Sequence, residues 1–117
     1  MLAWPYIERI HQAFQGVRLA VWGISQHDRE RSAAFAKQYG STFPILIDAD
    51  WRVSKVYDPE FVPTLWLVDA TGQIIDHVIA FDKAGLNRLA QTIAAQLGAP
   101  AIVVAPDKDG NPAFKPG

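Results

Sequence analysis

Several short stretches of this sequence carry residue types that can do chemistry. "PILIDADW" places Asp48 and Asp50 behind an apolar run, the arrangement of a phosphatase whose first aspartate attacks phosphorus. Such sites ask for Thr or Val two positions beyond the second aspartate, and Arg52 stands there. The plainer expectation is that Asp48 ends a strand and Asp50 caps the short helix after it. "DKDGN" (107–111) begins like a calcium loop but lacks the later ligands and the closing bidentate glutamate of an EF-hand, so it reads as a polar turn. His11, His27 and His77 share no ligand spacing and read as solvent-facing or singly hydrogen-bonded, with His77 on the polar face of an edge strand. No glycine-rich phosphate loop and no GxSxG elbow occurs. Trp4, Trp22, Trp51 and Trp66 fall in different elements and read as core or near-core packing, not as a stacking platform for bases. The chain has no cysteine, which removes disulfides, thiolate catalysis and thiolate metal ligation together. No catalytic residue, metal ligand or cofactor is therefore assigned.

"FVPTLWLVD" (61–69) is of another kind. A proline donates no ladder hydrogen bond, so Pro63 belongs at the start of a strand or on an edge. On base rate alone the Val62–Pro63 bond is trans, since X–Pro bonds are cis only about 5% of the time.

The elements that must position these residues can be read from periodicity. Residues 5–15 form an amphipathic helix, with Tyr6, Ile7, Ile10 and Phe14 on one side, Pro5 in its first turn and Gly16 ending it. "VRLAVWGI" (17–24) reads as a strand buried on both faces. "SQHD" offers a capping box, Ser25 with Asp28, ahead of a helix over about 28–39 stopped by Gly40. A short strand (43–48), one or two helical turns (51–56), and a hairpin of strands 64–69 and 73–80 around a "DATG" turn follow. Asp82 heads the last helix, 83–97, whose Leu86, Leu89, Ala90, Ile93 and Leu97 make the cleanest apolar stripe. The proline-rich stretch 98–117 reads as a tail or arm, with at most a short strand at Ile102–Val104. A βα crossover followed by an antiparallel hairpin implies an α/β fold, a mixed sheet with helices on both faces.

Size and charge bound the partners. A chain of 117 residues, half of them hydrophobic, is one globular domain with one core. A formal net charge of −1 gives no basic surplus for nucleic acid. No apolar run approaches the ~20 residues of a membrane span. No targeting signal decides between a cytoplasmic and an extracytoplasmic location.

Taken together, these stretches resemble the thioredoxin-like superfamily, in its redoxin branch of TlpA/ResA-type disulfide reductases and AhpC/TSA peroxiredoxins. "VWGISQHDRERSAAFAKQYGSTFPILID", "VPTLWLVDATGQII" and "FDKAGLNRLAQTIAAQL" carry the likeness, which covers about residues 4–97. The VPT-plus-hairpin element is its most specific part. The resemblance implies that Pro63 is the cis-proline facing the active site. It implies further that Val62 offers backbone groups to an extended peptide or protein substrate, and that Thr64 follows as in the family. It also marks a departure. Family members carry CxxC at the N-terminus of the first helix, where the helix end lowers the thiolate pKa. With Pro5 in the register of the family's helix proline, the second cysteine falls just ahead of Met1, and the central strand before it falls earlier still.

Two functional expectations follow. In the first, residues 1–97 are a thioredoxin-like domain lacking its N-terminal strand, the C-terminal majority of a thiol–disulfide oxidoreductase or redoxin. It is catalytically incomplete without cysteine and is followed by the tail 98–117. In the second, the chain is a redox-inactive thioredoxin-like binding module whose sheet is completed by a strand donor or a homo-oligomer. Either way two inner strand edges stand open and the isolated chain is expected to be marginally stable.

Overall fold

A computed structural model describes residues 2–60 and 62–116. The expectations that fall on Met1, Phe61 and Gly117 lie outside the described residues. The chain runs α1 (Trp4–Ala13), β1 (Gly23–Ser25), α2 (Arg29–Tyr39), β2 (Ile45–Ile47), α3 (Arg52–Tyr57), β3 (Thr64–Val68), β4 (Ile74–Ile79), β5 (Phe81–Asp82), α4 (Lys83–Leu97) and β6 (Phe114–Lys115). This is the expected α/β order, and among the described residues no strand precedes α1.

The sheet is mixed but divided. β1 and β2 pair in parallel, with Ile24 opposite Leu46. β3 and β4 form the antiparallel hairpin, with Trp66 opposite His77 and a register shift between Leu67 and Val68. β5 and β6 make a third antiparallel pair. No described strand joins β1 to β3, so each keeps one unpaired edge among the described residues.

Local sequence explains most of the elements. Pro5 sits in the first turn of α1, where no intrahelical N–H is required of it. Asp28 caps α2 by accepting the Arg31 N–H at 2.8 Å, and Gly40 closes the helix in the left-handed region. The helix cap is thus Asp28 itself and not a Ser25–Asp28 box, while the Ser25 hydroxyl accepts from the His27 N–H instead. Gly98 closes α4 in the same left-handed way. In the hairpin turn, the Asp69 carboxylate accepts the N–H groups of Thr71 and Gln73, an Asx-type turn. Those bonds hold its pKa below the usual aspartate value, the Thr71 hydroxyl contributing most.

The core lies where α1 and α4 meet the hairpin. Tyr6, Ile7, Ile10 and Phe14 of the first helical segment pack with Leu86, Leu89, Ala90 and Ile93 of α4, and with Val78, Phe81 and Phe43. Leu97 joins from the margin.

Three further expectations change. The stretch 17–24 is strand only from Gly23, and Trp22 is exposed. Among the described residues, 17–22 find no ladder partner, and no further strand lies beside them to bury a second face. Ile102–Val104 is not a strand. The regular pairing of the C-terminal stretch is at Phe114–Lys115, against β5. Only one of the four tryptophans, Trp4, packs against the core cluster among the described residues. Trp4 packs edge-on to Phe35 and against Phe43, and Trp66 packs on Tyr57, whereas Trp22 and Trp51 are exposed.

Candidate functional site

The Val62–Pro63 peptide bond is cis, as the family likeness implied and base rate did not. Pro63 sits at the head of the hairpin, its carbonyl accepting the Ala80 N–H at 2.9 Å, while Thr64 opens β3 opposite Ile79. Val62 is exposed and Pro63 half-buried. Among the described residues no hydrogen bond engages the Val62 backbone. One strand residue's worth of donor and acceptor is therefore available there to an extended chain.

The partner of this turn in space is the start of α1. Leu2 and Ala3 line a cleft of about 170 Å³ together with Val62, Pro63 and Phe81. Ala3 is the N-cap of α1, supplies no side-chain cap, and lines the cleft beside the head of the hairpin. The first helical turn carries no acidic residue either. The start of α1 and the head of the hairpin thus share one cleft. No thiol of this chain lines it, because the chain has none.

The other candidate groups resolve as structural. The carboxylate of Asp48 accepts the N–H groups of Val53 and Ser54 and the Ser54 hydroxyl at 2.8–3.0 Å. Burial pushes its pKa up, but these bonds outweigh burial and leave it below the usual value. Asp48 thus caps α3. Asp50, expected in that role, only touches the Arg52 N–H at 3.3 Å and pairs with the exposed Arg52 side chain. Three donors converging on the Asp48 oxygens are those of a helix cap. Asp109 of the "DKDGN" turn accepts from Lys83 and Tyr6, and among the described residues no cluster of three metal-ligating side chains occurs. His27 and His77 are exposed, and His77 lies on β4, which among the described residues pairs only with β3. His11 packs edge-on against Phe43. No described helix is long and apolar enough to cross a membrane.

One functional-looking feature escaped the sequence. Lys83, at the start of α4, is buried, with its ammonium 2.6 Å from Asp109. Nothing in the spacing of two residues so far apart marks them as partners; only the fold brings them together.

The thioredoxin-like α/β order, the cis-proline ahead of the hairpin and the helix start across the cleft define a redoxin-type domain. Comparison with known proteins gives the same class and narrows it. The AhpC/TSA family matches residues 2–77, and the chain belongs to that family. Similar curated proteins include the thiol-disulfide oxidoreductase ResA of Bacillus subtilis, 29% identical over 73 residues, covering 61% of this chain and 40% of that protein. The ResA of Geobacillus kaustophilus is 27% identical over 71 residues, covering 60% of this chain and 41% of that protein. That of Bacillus cereus is 24% identical over 76 residues, covering 64% and 44%. The matched region thus spans less than half the length of these relatives.

Proposed function

We infer that this chain supplies the substrate-holding part of a thiol–disulfide oxidoreductase-type unit. In this reading Val62 pairs through its backbone with an extended peptide or protein segment, Pro63 forms the floor beneath it, and Thr64 sets the start of the hairpin behind it. Residues 1–97 act as the redoxin unit and 98–117 as its extension. The observation that supports the reading is the shared cleft, lined both by Val62, whose backbone makes no hydrogen bond among the described residues, and by Ala3, the N-cap of α1. Thiol exchange requires a thiolate to attack a sulfur, and no residue of this chain can provide one.

The test is binding of an unfolded, thiol-blocked polypeptide, such as reduced and alkylated insulin B chain, to the full chain. Pro63→Ala removes the ring that lines the cleft and is expected to weaken binding about tenfold, the weight of one well-placed contact. Unchanged affinity removes the groove. The same chain is expected to reduce no insulin disulfide, and reduction by cysteine-free protein would overturn the reading.

A second reading has its own support in the unpaired edges of β1 and β3. Here the chain is a redox-inactive binding module whose sheet is completed by a partner strand or a second copy. A well-folded, strictly monomeric species in analytical ultracentrifugation counts against completion by self-association.

A further inference from the structure

The residues after α4 are fastened to the fold by buried and half-buried polar groups that nothing in the cleft chemistry uses. Asn87 of α4 grips the backbone of the segment at three points. Its Oδ1 accepts the N–H groups of Val104 and Ala105 at 3.0 and 2.9 Å, and its Nδ2 donates to the Ala105 carbonyl at 2.9 Å. Val104 and Ala105 are themselves buried. Four residues earlier on α4, one helical turn away and so on the same face, the Lys83 ammonium donates to the Pro106 carbonyl at 2.9 Å and to the Asp109 carboxylate at 2.6 Å. The Tyr6 hydroxyl on α1 donates to Asp109 and accepts from the Asn111 amide at 2.8 Å. The Lys83 N–H then takes the Ala113 carbonyl at 2.9 Å, and Phe81 pairs with Lys115.

This sequence of anchors has a destination. It lays Lys115 and Pro116 into the wall of the Val62–Pro63 cleft, across from the start of α1. Of the described residues that line the cleft, Lys115 alone carries a charge. Lys115 is exposed and makes no ion pair among the described residues.

We propose that the C-terminal arm is the selectivity wall of this cleft, and that Lys115 directs it toward extended peptides bearing carboxylate side chains. The proposal rests on the groove reading above and adds the ligand's charge to it. A cation beside the position where a peptide backbone would lie attracts glutamate or aspartate side chains flanking the paired residue and repels lysine or arginine. At a solvent-exposed rim this discrimination is moderate and screened by salt. Lys83, Asn87, Tyr6 and Asp109 are positioning residues, holding the arm at the angle that brings Lys115 to the rim.

Fluorescence anisotropy with the full chain tests it. The probes are two matched, unstructured, cysteine-free peptides, one with glutamate and one with lysine at alternate positions. The wild-type chain is expected to favour the glutamate peptide, with a preference that fades as salt is raised. Lys115→Glu is expected to move the ratio of the two affinities about fivefold toward the lysine peptide. Lys108→Glu, an equal charge change on an arm residue outside the cleft wall, is expected to move it far less. Pro63→Ala weakens both peptides. If Pro63→Ala weakens both but Lys115→Glu leaves the ratio unchanged, or Lys108→Glu moves it as much, the arm proposal falls and the groove stands. If neither peptide binds, or Pro63→Ala changes nothing, the groove falls and the arm proposal with it.

Discussion

The side of the molecule built from α1, α4 and the arm differs sharply from the side built from β1 and β2. On the first, Tyr6 and Leu86 are each 1% exposed, and even the polar groups Lys83 and Asp109 are paired. On the second, Trp22 is 65% exposed, and the cross-strand neighbours Ile24 and Leu46 are 41% and 45% exposed. Composition does not explain the contrast, since both sides are rich in large apolar residues. Layering does. The α1 side has a second layer, α4 and the hairpin, to close over it. The outer face of the β1–β2 ladder is covered only in part among the described residues. Stability is therefore expected to concentrate in the first region, and the second to behave as surface.

The largest test of that contrast is a pair of truncations. Leu86→Ala removes a fully buried side chain from a filled core and is expected to cost about 2–5 kcal/mol in denaturant unfolding. Ile24→Ala removes a side chain already half in water and is expected to cost well under half as much. Equal losses would show that the β1–β2 face is covered in solution, and the contrast would break.

A smaller effect separates the two sides by pH. The Lys83 ammonium, followed by the Tyr6 hydroxyl, holds the Asp109 carboxyl well below the usual carboxylate range. A pKa lower in the folded chain than in the unfolded one means that the unfolded chain takes up the proton first as pH falls. The associated stability is fully present above the ordinary aspartate value of about 4 and is lost as pH drops below it. Asp109→Asn is expected to flatten the acid limb of a stability–pH curve. On the other side, Asp48 is lowered only by neutral donors working against burial. Asp48→Asn is therefore expected to flatten the curve less. The reverse order would mean that the buried ion pair is not what anchors the arm.

These two regions also divide what could be read from the sequence. The α4 stripe, the "DATG" hairpin and the proline at its head were all legible, because each is set by short-range periodicity or turn chemistry. The strand expected over 17–24 was legible only as composition. Its apolar run presumes neighbours on both sides, and whether a strand pairs is decided by other segments. Likewise "AIVVA" has strand character, yet Asn87 takes the Val104 and Ala105 N–H groups that a ladder would need, and pairing moves to Phe114–Lys115. For the site, the position of Val62, Pro63 and Thr64 came through family likeness, and their binding role is a proposal. The arm's place beside them came from neither periodicity nor likeness, because it depends on contacts of Tyr6 with Asp109 and Asn111 from opposite ends of the chain.

The smallest expected effect falls on Trp22. In a stretch that reads as buried strand, a tryptophan would be a core residue, and its loss would cost about 3–5 kcal/mol. Exposed as it is, Trp22→Ser is expected to change unfolding free energy by no more than about 0.5 kcal/mol. It is also expected to remove a readily quenched, water-facing component of the tryptophan emission. The two readouts constrain each other. Quenching that falls while stability holds places Trp22 in solvent and keeps the contrast between the two sides. A large loss of stability, with quenching unchanged, would mean that something covers this face in solution. The open edge of β1 would then be the first place to look for it.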